Sequence, residues 1–300
     1  MPHEKMEWMP KKEILSFEEM ERLVSIMASM GISKIRLTGG EPFVRTDLMQ
    51  FIRRVVEIPG IRDLHLTTNG ILTAKHIPEL KRLGLSSVNL SLDTLDRKRF
   101  LDITRRDDFG KVMETLHLLL EHQIPVKINC VVMEGRNIDD IVLLTELARN
   151  HPVDVRFIEE MPFNGGATHL PSGLSWNHIR IIDHLRNHFP AITKIQDPAS
   201  STSSNYRIEG FAGTVGVIAA FSRTFCGTCN RIRVTAQGEL KTCLYDGGVL
   251  NIKTLMRNGA SDEEITEKLL EAFRSRPKDG FEAEHKKSAS TFASMSTIGG

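Results

Sequence analysis

The stretch CGTCNRIRVTAQGELKTC, from Cys226 to Cys243, spaces three thiols as C-x2-C-x13-C and sets Arg231 and Arg233 between the second and the third. A tight C-x-x-C pair can grip one metal or one corner of a cluster, and a hairpin can return a third thiolate beside it. Zinc would want a fourth ligand, and no histidine lies between Cys226 and Cys243. An iron–sulfur cluster tolerates three protein ligands and leaves one iron open. The spacing favours iron–sulfur, with zinc as the alternative. The remaining cysteine, Cys130, lies in an apolar stretch and reads as core.

Cations form a second set. Arg36 in KIRLT and Lys127 in VKINC interrupt otherwise apolar stretches. A buried charge is costly alone, so each requires a carboxylate or the anionic part of a ligand. Arg231 and Arg233 have strand spacing and share one face. Four cations converging on one pocket would suit a polyphosphate. The turn TGGEP offers Gly39 and Gly40 for close backbone approach to a ligand and Glu41 as an acceptor for a cationic group. TTNG (67–70) and SLD (91–93) carry hydroxyl and amide groups at strand ends, which suits a barrel mouth and equally suits ordinary turns.

These residues need a frame. Ser16 and Glu19 form a capping box ahead of a helix that Gly31 stops. KIRLT, LHLTT (64–68), SVNLSLD (87–93), VKINCVVM (126–133) and VDVRFIEEM (153–161) read as strands separated by amphipathic helices. The first is expected to be buried. Such alternation predicts parallel strands with crossover helices, in a barrel or part of one, with an open doubly wound sheet as the competing arrangement. Beyond about residue 162 the chain turns to loops, one helix (SWNHIRIIDHLRNHF), β-rich segments including a hairpin turning near Gly238, and a charged helix opened by the capping box of Ser261 and Glu264. The division expected is 1–165 for the α/β part and 166–300 for an α+β extension.

With 300 residues, 40% hydrophobic and 26% charged, the chain can bury a sizeable core. A net charge of +1 gives no global case for nucleic acid or an anionic membrane. No run of apolar residues is long enough for a membrane span. MPHEKMEWMPKKE lacks the apolar core of a secretory signal. Four cysteines are too few for a disulfide framework in a chain of this length.

KIRLTGGEP, TTNG, NLSLDTLD, VKIN, VRFIEEMPF, CGTCNRIRVTAQGELKTCL and the terminal GG together resemble the GTP 3′,8-cyclases of molybdenum cofactor biosynthesis, which are radical S-adenosylmethionine lyases. The resemblance runs in order from about Trp8 to Gly300, and the cysteine–arginine block is its most specific part. It implies a C-terminal 4Fe–4S cluster on Cys226, Cys229 and Cys243, with GTP held by Arg36, Thr67, Lys127, Arg231 and Arg233. It implies S-adenosylmethionine at Gly39, Gly40, Glu41, Ser91 and Met161, and a diglycine tail, Gly299–Gly300, reaching the site. In the family a first cluster cleaves S-adenosylmethionine, the resulting radical takes hydrogen from ribose C3′, and C3′ then attacks guanine C8.

One departure stands out. The C-x3-C-x2-C motif of that first cluster is absent from the 300 residues. The expectation is an N-terminally truncated chain, a partial (βα)6-type barrel without its first strand, inactive alone, with the second 4Fe–4S cluster present only in a complete form. The resemblance further implies a cytoplasmic or organellar setting and a downstream cyclic pyranopterin monophosphate synthase as functional partner, and it leaves a homodimer open; charge and hydropathy point to neither nucleic acid nor membrane as a partner. Two other readings stay open: a non-catalytic GTP-binding iron–sulfur protein, and a radical S-adenosylmethionine enzyme with another substrate.

Overall fold

The computed structural model describes residues 9–161 and 175–286. Helix α1 (Phe17–Ser29), strand β1 (Lys34–Leu37), helix α2 (Leu48–Glu57), strand β2 (Asp63–Thr68), helix α3 (Ile77–Arg82) and strand β3 (Ser87–Ser91) open the chain. Helices α4 (Arg97–Thr104) and α5 (Phe109–Glu121), strand β4 (Val126–Val132), helix α6 (Asp140–Asn150) and strand β5 (Val153–Glu159) complete the alternating run that the sequence predicts. Then come α7 (His178–His188), β6 (Ile192–Lys194), β7 (Ser204–Ile208), β8 (Thr214–Ile218), β9 (Arg233–Val234), β10 (Glu239–Lys241) and β11 (Leu250–Asn251). Helices α8 (Ile252–Arg257), α9 (Asp262–Arg274) and α10 (Gly280–His285) end the described chain.

Two compact units result. Among the described residues, those between 66 and 229 form one, and 9–65 together with 230–286 form the other, so β2 begins in one and ends in the other. In the first unit β3, β4, β5 and β8 are parallel neighbours, and β7 and β6 continue the sheet antiparallel. The place of β8 beside β5 is not anticipated by the sequence, where GTVGVIAAF reads only as a β-rich part of the extension. Burial alternates strictly along β4 and β5. Val126, Ile128, Cys130 and Val132, with Val153, Val155 and Phe157, are buried on one face. The other face is half-buried and carries Lys127, Asn129, Asp154 and Arg156 beside Val131 and Ile158, a mixture unlike the apolar packing that usually covers both faces of a parallel sheet.

The second unit is held by an apolar cluster joining Leu23, Ile26 and Met27 of α1 to Leu240 of β10, Ile252 and Met256 of α8, and Ile265 and Leu269 of α9. Both capping boxes form as expected: Ser16 Oγ accepts Glu19 N–H at 3.1 Å, and Ser261 Oγ accepts Glu264 N–H at 3.2 Å. The hairpin β9–β10 turns at Gly238 (φ +83°), where an added Cβ would lie 2.5 Å from that of Lys253. Strand β1 is not the buried strand expected, because Leu37 alone in it is buried. Among the described residues, no helix is long and apolar enough to cross a membrane.

Candidate active site

The register of the parallel strands stacks polar residues in two rows. One row runs Asn89, Lys127, Asp154, Thr214, and the next Ser91, Asn129, Arg156, Gly216. Both lie on the half-buried face, with their backbones fixed by the buried apolar face behind them. Asp154 Oδ2 accepts from Arg156 Nε at 2.8 Å and lies 3.4 Å from Lys127 Nζ, while Thr214 Oγ1 donates to Oδ1 at 3.2 Å. Lys127 thus has the carboxylate partner that its place in an apolar strand required. One carboxylate facing two cations leaves the two rows together net positive.

The same region has unmet acceptors. Thr67 Oγ1, Asn89 Oδ1 and Asn129 Oδ1 are buried without a hydrogen-bond partner. Desolvated polar atoms cost free energy until something hydrogen-bonds to them. These acceptors call for a ligand that brings hydrogen-bond donors, and the cations beside them for one that also carries negative charge. Gly216, in the second row, lets Ser203 and Asn205 pack close against the sheet. A Cβ there would meet Ser203 Oγ at 2.2 Å and Arg156 Cγ at 3.4 Å.

The remaining residues singled out from the sequence lie as follows. TTNG is largely a built turn. Thr68 Oγ1 accepts Gly70 N–H at 3.0 Å, Asn69 Oδ1 accepts Ile71 N–H at 2.9 Å, and Thr115 Oγ1 donates to Gly70 O at 2.6 Å. Ser91 is exposed at the end of β3, and Met161 is half-buried after β5. In the other unit Gly39 has φ +147° with open space where a Cβ would stand, and Gly40 is exposed. Glu41 Oε1 accepts Phe43 N–H at 3.2 Å, so its side chain caps a short 3-10 turn. Arg36 is exposed, so the argument from buried charge does not apply to it. Arg233 begins β9 opposite Lys241, whereas Arg231 precedes the strand and is exposed. Gly299 and Gly300 lie outside the described residues.

Cys226 and Cys229 bracket a 3-10 turn that ends the first unit, and Cys243 follows β10 in the second. All three are half-buried and free of disulfides. Among the described residues, no group of three or more His, Cys, Asp or Glu side chains stands ready-made as a metal site. By donor type and number alone, three thiols are what a 4Fe–4S cluster with one open iron takes. They do not extend to a second, because the remaining cysteine, Cys130, is 0% exposed and burial pushes its thiol well up. A fully buried protonated thiol is a core group, as the sequence suggested.

Asp93, closing SLD, is pushed up to about 6 by burial, against which the Val131 N–H donated to it at 2.8 Å works only in part. Sequence reasoning missed Asn89, Asn129, Asp154 and Arg156. The available signal was their strand parity with Lys127, since every second residue shares its face.

The frame is that of an α/β protein with a mostly parallel sheet, and comparison gives its class. Residues 2–148 match the radical SAM superfamily, and residues 153–282 match Molybdenum Cofactor Synthesis C. The chain belongs to the GTP 3′,8-cyclase family of molybdenum cofactor biosynthesis. It is 43% identical to the GTP 3′,8-cyclase of Syntrophomonas wolfei over 92% of its own length and 85% of that protein. It is 42% identical to molybdenum cofactor biosynthesis protein 1 of Bos taurus over 88% of this chain, and it spans only 42% of that longer protein's length. The crystal structure of Streptococcus suis SuiB bound to precursor peptide SuiA covers 92% of this chain and 60% of its own, with a TM-score of 0.50 and 13% identity, a likeness of fold alone.

Proposed function

We propose that this chain serves GTP 3′,8-cyclisation, the closure of a C3′–C8 bond within GTP that begins molybdenum cofactor synthesis. The observation that carries this reading is the double polar row, in which Lys127 and Arg156 face one carboxylate beside the unmet acceptors of Thr67, Asn89 and Asn129. It is suited to the phosphates and hydroxyls of a nucleotide. In this reading Arg36, Thr67, Lys127, Arg231 and Arg233 hold GTP. Gly39, Gly40, Glu41, Ser91 and Met161 hold S-adenosylmethionine. Cys226, Cys229 and Cys243 hold a 4Fe–4S cluster, which when bound supplies an open iron for the purine. The framework is a partial parallel barrel over 1–165 with the extension 166–300, acting in the cytoplasm or an organelle, with a pyranopterin-forming synthase consuming the product.

The residues present do not fit a second, radical-generating cluster, so no step is derived through one. That single donor set favours a second reading in which residues 1–300 bind GTP and one cluster without reacting.

Calorimetric titration of the iron-reconstituted chain with GTP tests the proposal. Saturable binding that Arg231→Ala abolishes, with roughly four irons per chain, as one 4Fe–4S cluster requires, is the expected result. No GTP binding in the parent chain would overturn it. Formation of 5′-deoxyadenosine by the isolated chain would remove the second reading.

A further inference from the structure

Each cysteine-bearing segment hangs from one buried carboxylate. Glu159, the last residue of β5, is 1% exposed. A carboxylate so placed is tolerated only when its oxygens are engaged. Oε1 accepts the His178 N–H at 2.6 Å and the Ser222 hydroxyl at 2.8 Å, and lies 2.9 Å from His178 Nδ1. Oε2 accepts the Ser222 N–H at 2.7 Å. The carboxylate therefore ties the N-terminus of α7 to the chain entering the cysteine pair.

From Ser222 the geometry passes along the backbone. Arg223 has φ 57°, a conformation that a non-glycine residue keeps only where its surroundings fix it. Its N–H donates to Ala219 O at 2.7 Å, Cys226 N–H donates to Arg223 O at 3.2 Å, and Cys229 N–H donates to Cys226 O at 3.2 Å. Each turn is thus set by the one before it, back to Glu159.

Asp246 plays the equivalent part in the other unit, at 6% exposed. Its Oδ2 accepts the Cys243 N–H at 2.7 Å, the Thr242 N–H at 2.8 Å and the Thr242 hydroxyl at 3.1 Å. Oδ1 accepts the Gly248 N–H at 3.0 Å and lies 3.6 Å from the Lys241 ammonium.

We propose that Glu159 and Asp246 are positioning residues for the cysteine ligands. Glu159 fixes the turn presenting Cys226 and Cys229, and Asp246 fixes Cys243. The assignment rests on the cluster reading above. Groups that orient metal ligands from behind set affinity without touching the metal.

Two measurements on the full chain test it. In the metal-free protein, amide hydrogen exchange in Glu159→Ala should rise over 222–229 and not over 241–248, and in Asp246→Ala the reverse. Ser222→Ala keeps the backbone bond and loses only the hydroxyl, so a smaller rise of the same pattern is expected. It also serves if Glu159→Ala fails to fold. His178→Ala should leave 222–229 unchanged. In the iron-reconstituted protein, either alanine variant should lose iron to a chelator about tenfold faster, and Glu159→Gln, which keeps one acceptor, should recover part of the difference. Iron loss at the parent rate, or exchange that rises equally across β4 and β5, would overturn the proposal. A parent chain that takes up no iron would defeat the cluster reading instead, and the exchange pattern would still decide whether these carboxylates fix the turns.

Discussion

Asp154 grips Arg156 through two nitrogens of one guanidinium, Nε at 2.8 Å and Nη2 at 2.6 Å, and both side chains are mostly buried. Lys127 meets the same oxygen less closely, at 3.4 Å. Both nitrogens share the one oxygen Oδ2, a charge-assisted contact that restrains the position of the guanidinium. If GTP binds here, Asp154→Asn should weaken it about fivefold, roughly 1 kcal/mol, although the substitution adds net positive charge. A nucleotide titration at low and at moderate salt checks this. Tighter binding in the variant would mean that the field of the two cations matters and the orientation of Arg156 does not.

Asp93 makes stability depend on pH in an unusual direction for a carboxylate. Its ordinary value of 3.8 rises to about 6 in the folded protein, so the folded state holds the proton more tightly than the unfolded state. The stability it contributes is whole below pH about 4, falls as pH climbs towards about 6, and is gone above that. The displacement corresponds to about 3 kcal/mol. Asp93→Asn keeps an acceptor for Val131 N–H and removes the ionisation. Urea unfolding should therefore show the variant more stable than the parent at pH 7 and similar to it near pH 4. Parallel curves for the two proteins would mean that Asp93 titrates as an exposed carboxyl does.

What could be read from the sequence follows from the range of the forces involved. The helix–strand alternation, both capping boxes and the turn at Gly238 are local, and all appear where periodicity and turn chemistry place them. The cysteine spacing was legible for the same reason. The pairing of β8 with β5 was not, because parallel neighbours are joined by tertiary packing across the 54 residues between Glu159 and Thr214 (214 − 159 − 1 = 54). Asp154 and Arg156 read as ordinary strand charges until the register set them beside Lys127. The burial expected around Arg36 does not form, because an apolar neighbourhood in sequence does not make a buried strand.

Asp140 anchors the segment that follows Ser91. It is fully buried, accepts the Thr94 hydroxyl at 2.7 Å, and pairs with Arg99, which leans out towards solvent. Asp140→Ala strips the buried partner from Arg99 and Thr94 together. Removing one member of such a pair costs about 3 kcal/mol, and denaturant unfolding at neutral pH should read a loss of that size. Arg99→Ala should cost no less, since it leaves the buried carboxylate without its counter-charge. A loss well under 1 kcal/mol for both would mean that solvent already screens the pair.

The cysteines should separate cleanly by reactivity. Cys130 is buried in β4, its thiol pushed up by burial and by nearby Asp93 and Asp140, so it stays protonated and shielded. Thiolate is the reactive form. Alkylation of the metal-free native protein should therefore modify Cys226, Cys229 and Cys243 and spare Cys130 until denaturant is added. Cys130→Ala should leave the iron content of the reconstituted chain unchanged, whereas Cys226→Ala should abolish it. Iron lost in Cys130→Ala with the fold intact would place a fourth thiol in the ligand set, and the three-cysteine reading of CGTCNRIRVTAQGELKTC would have to be withdrawn.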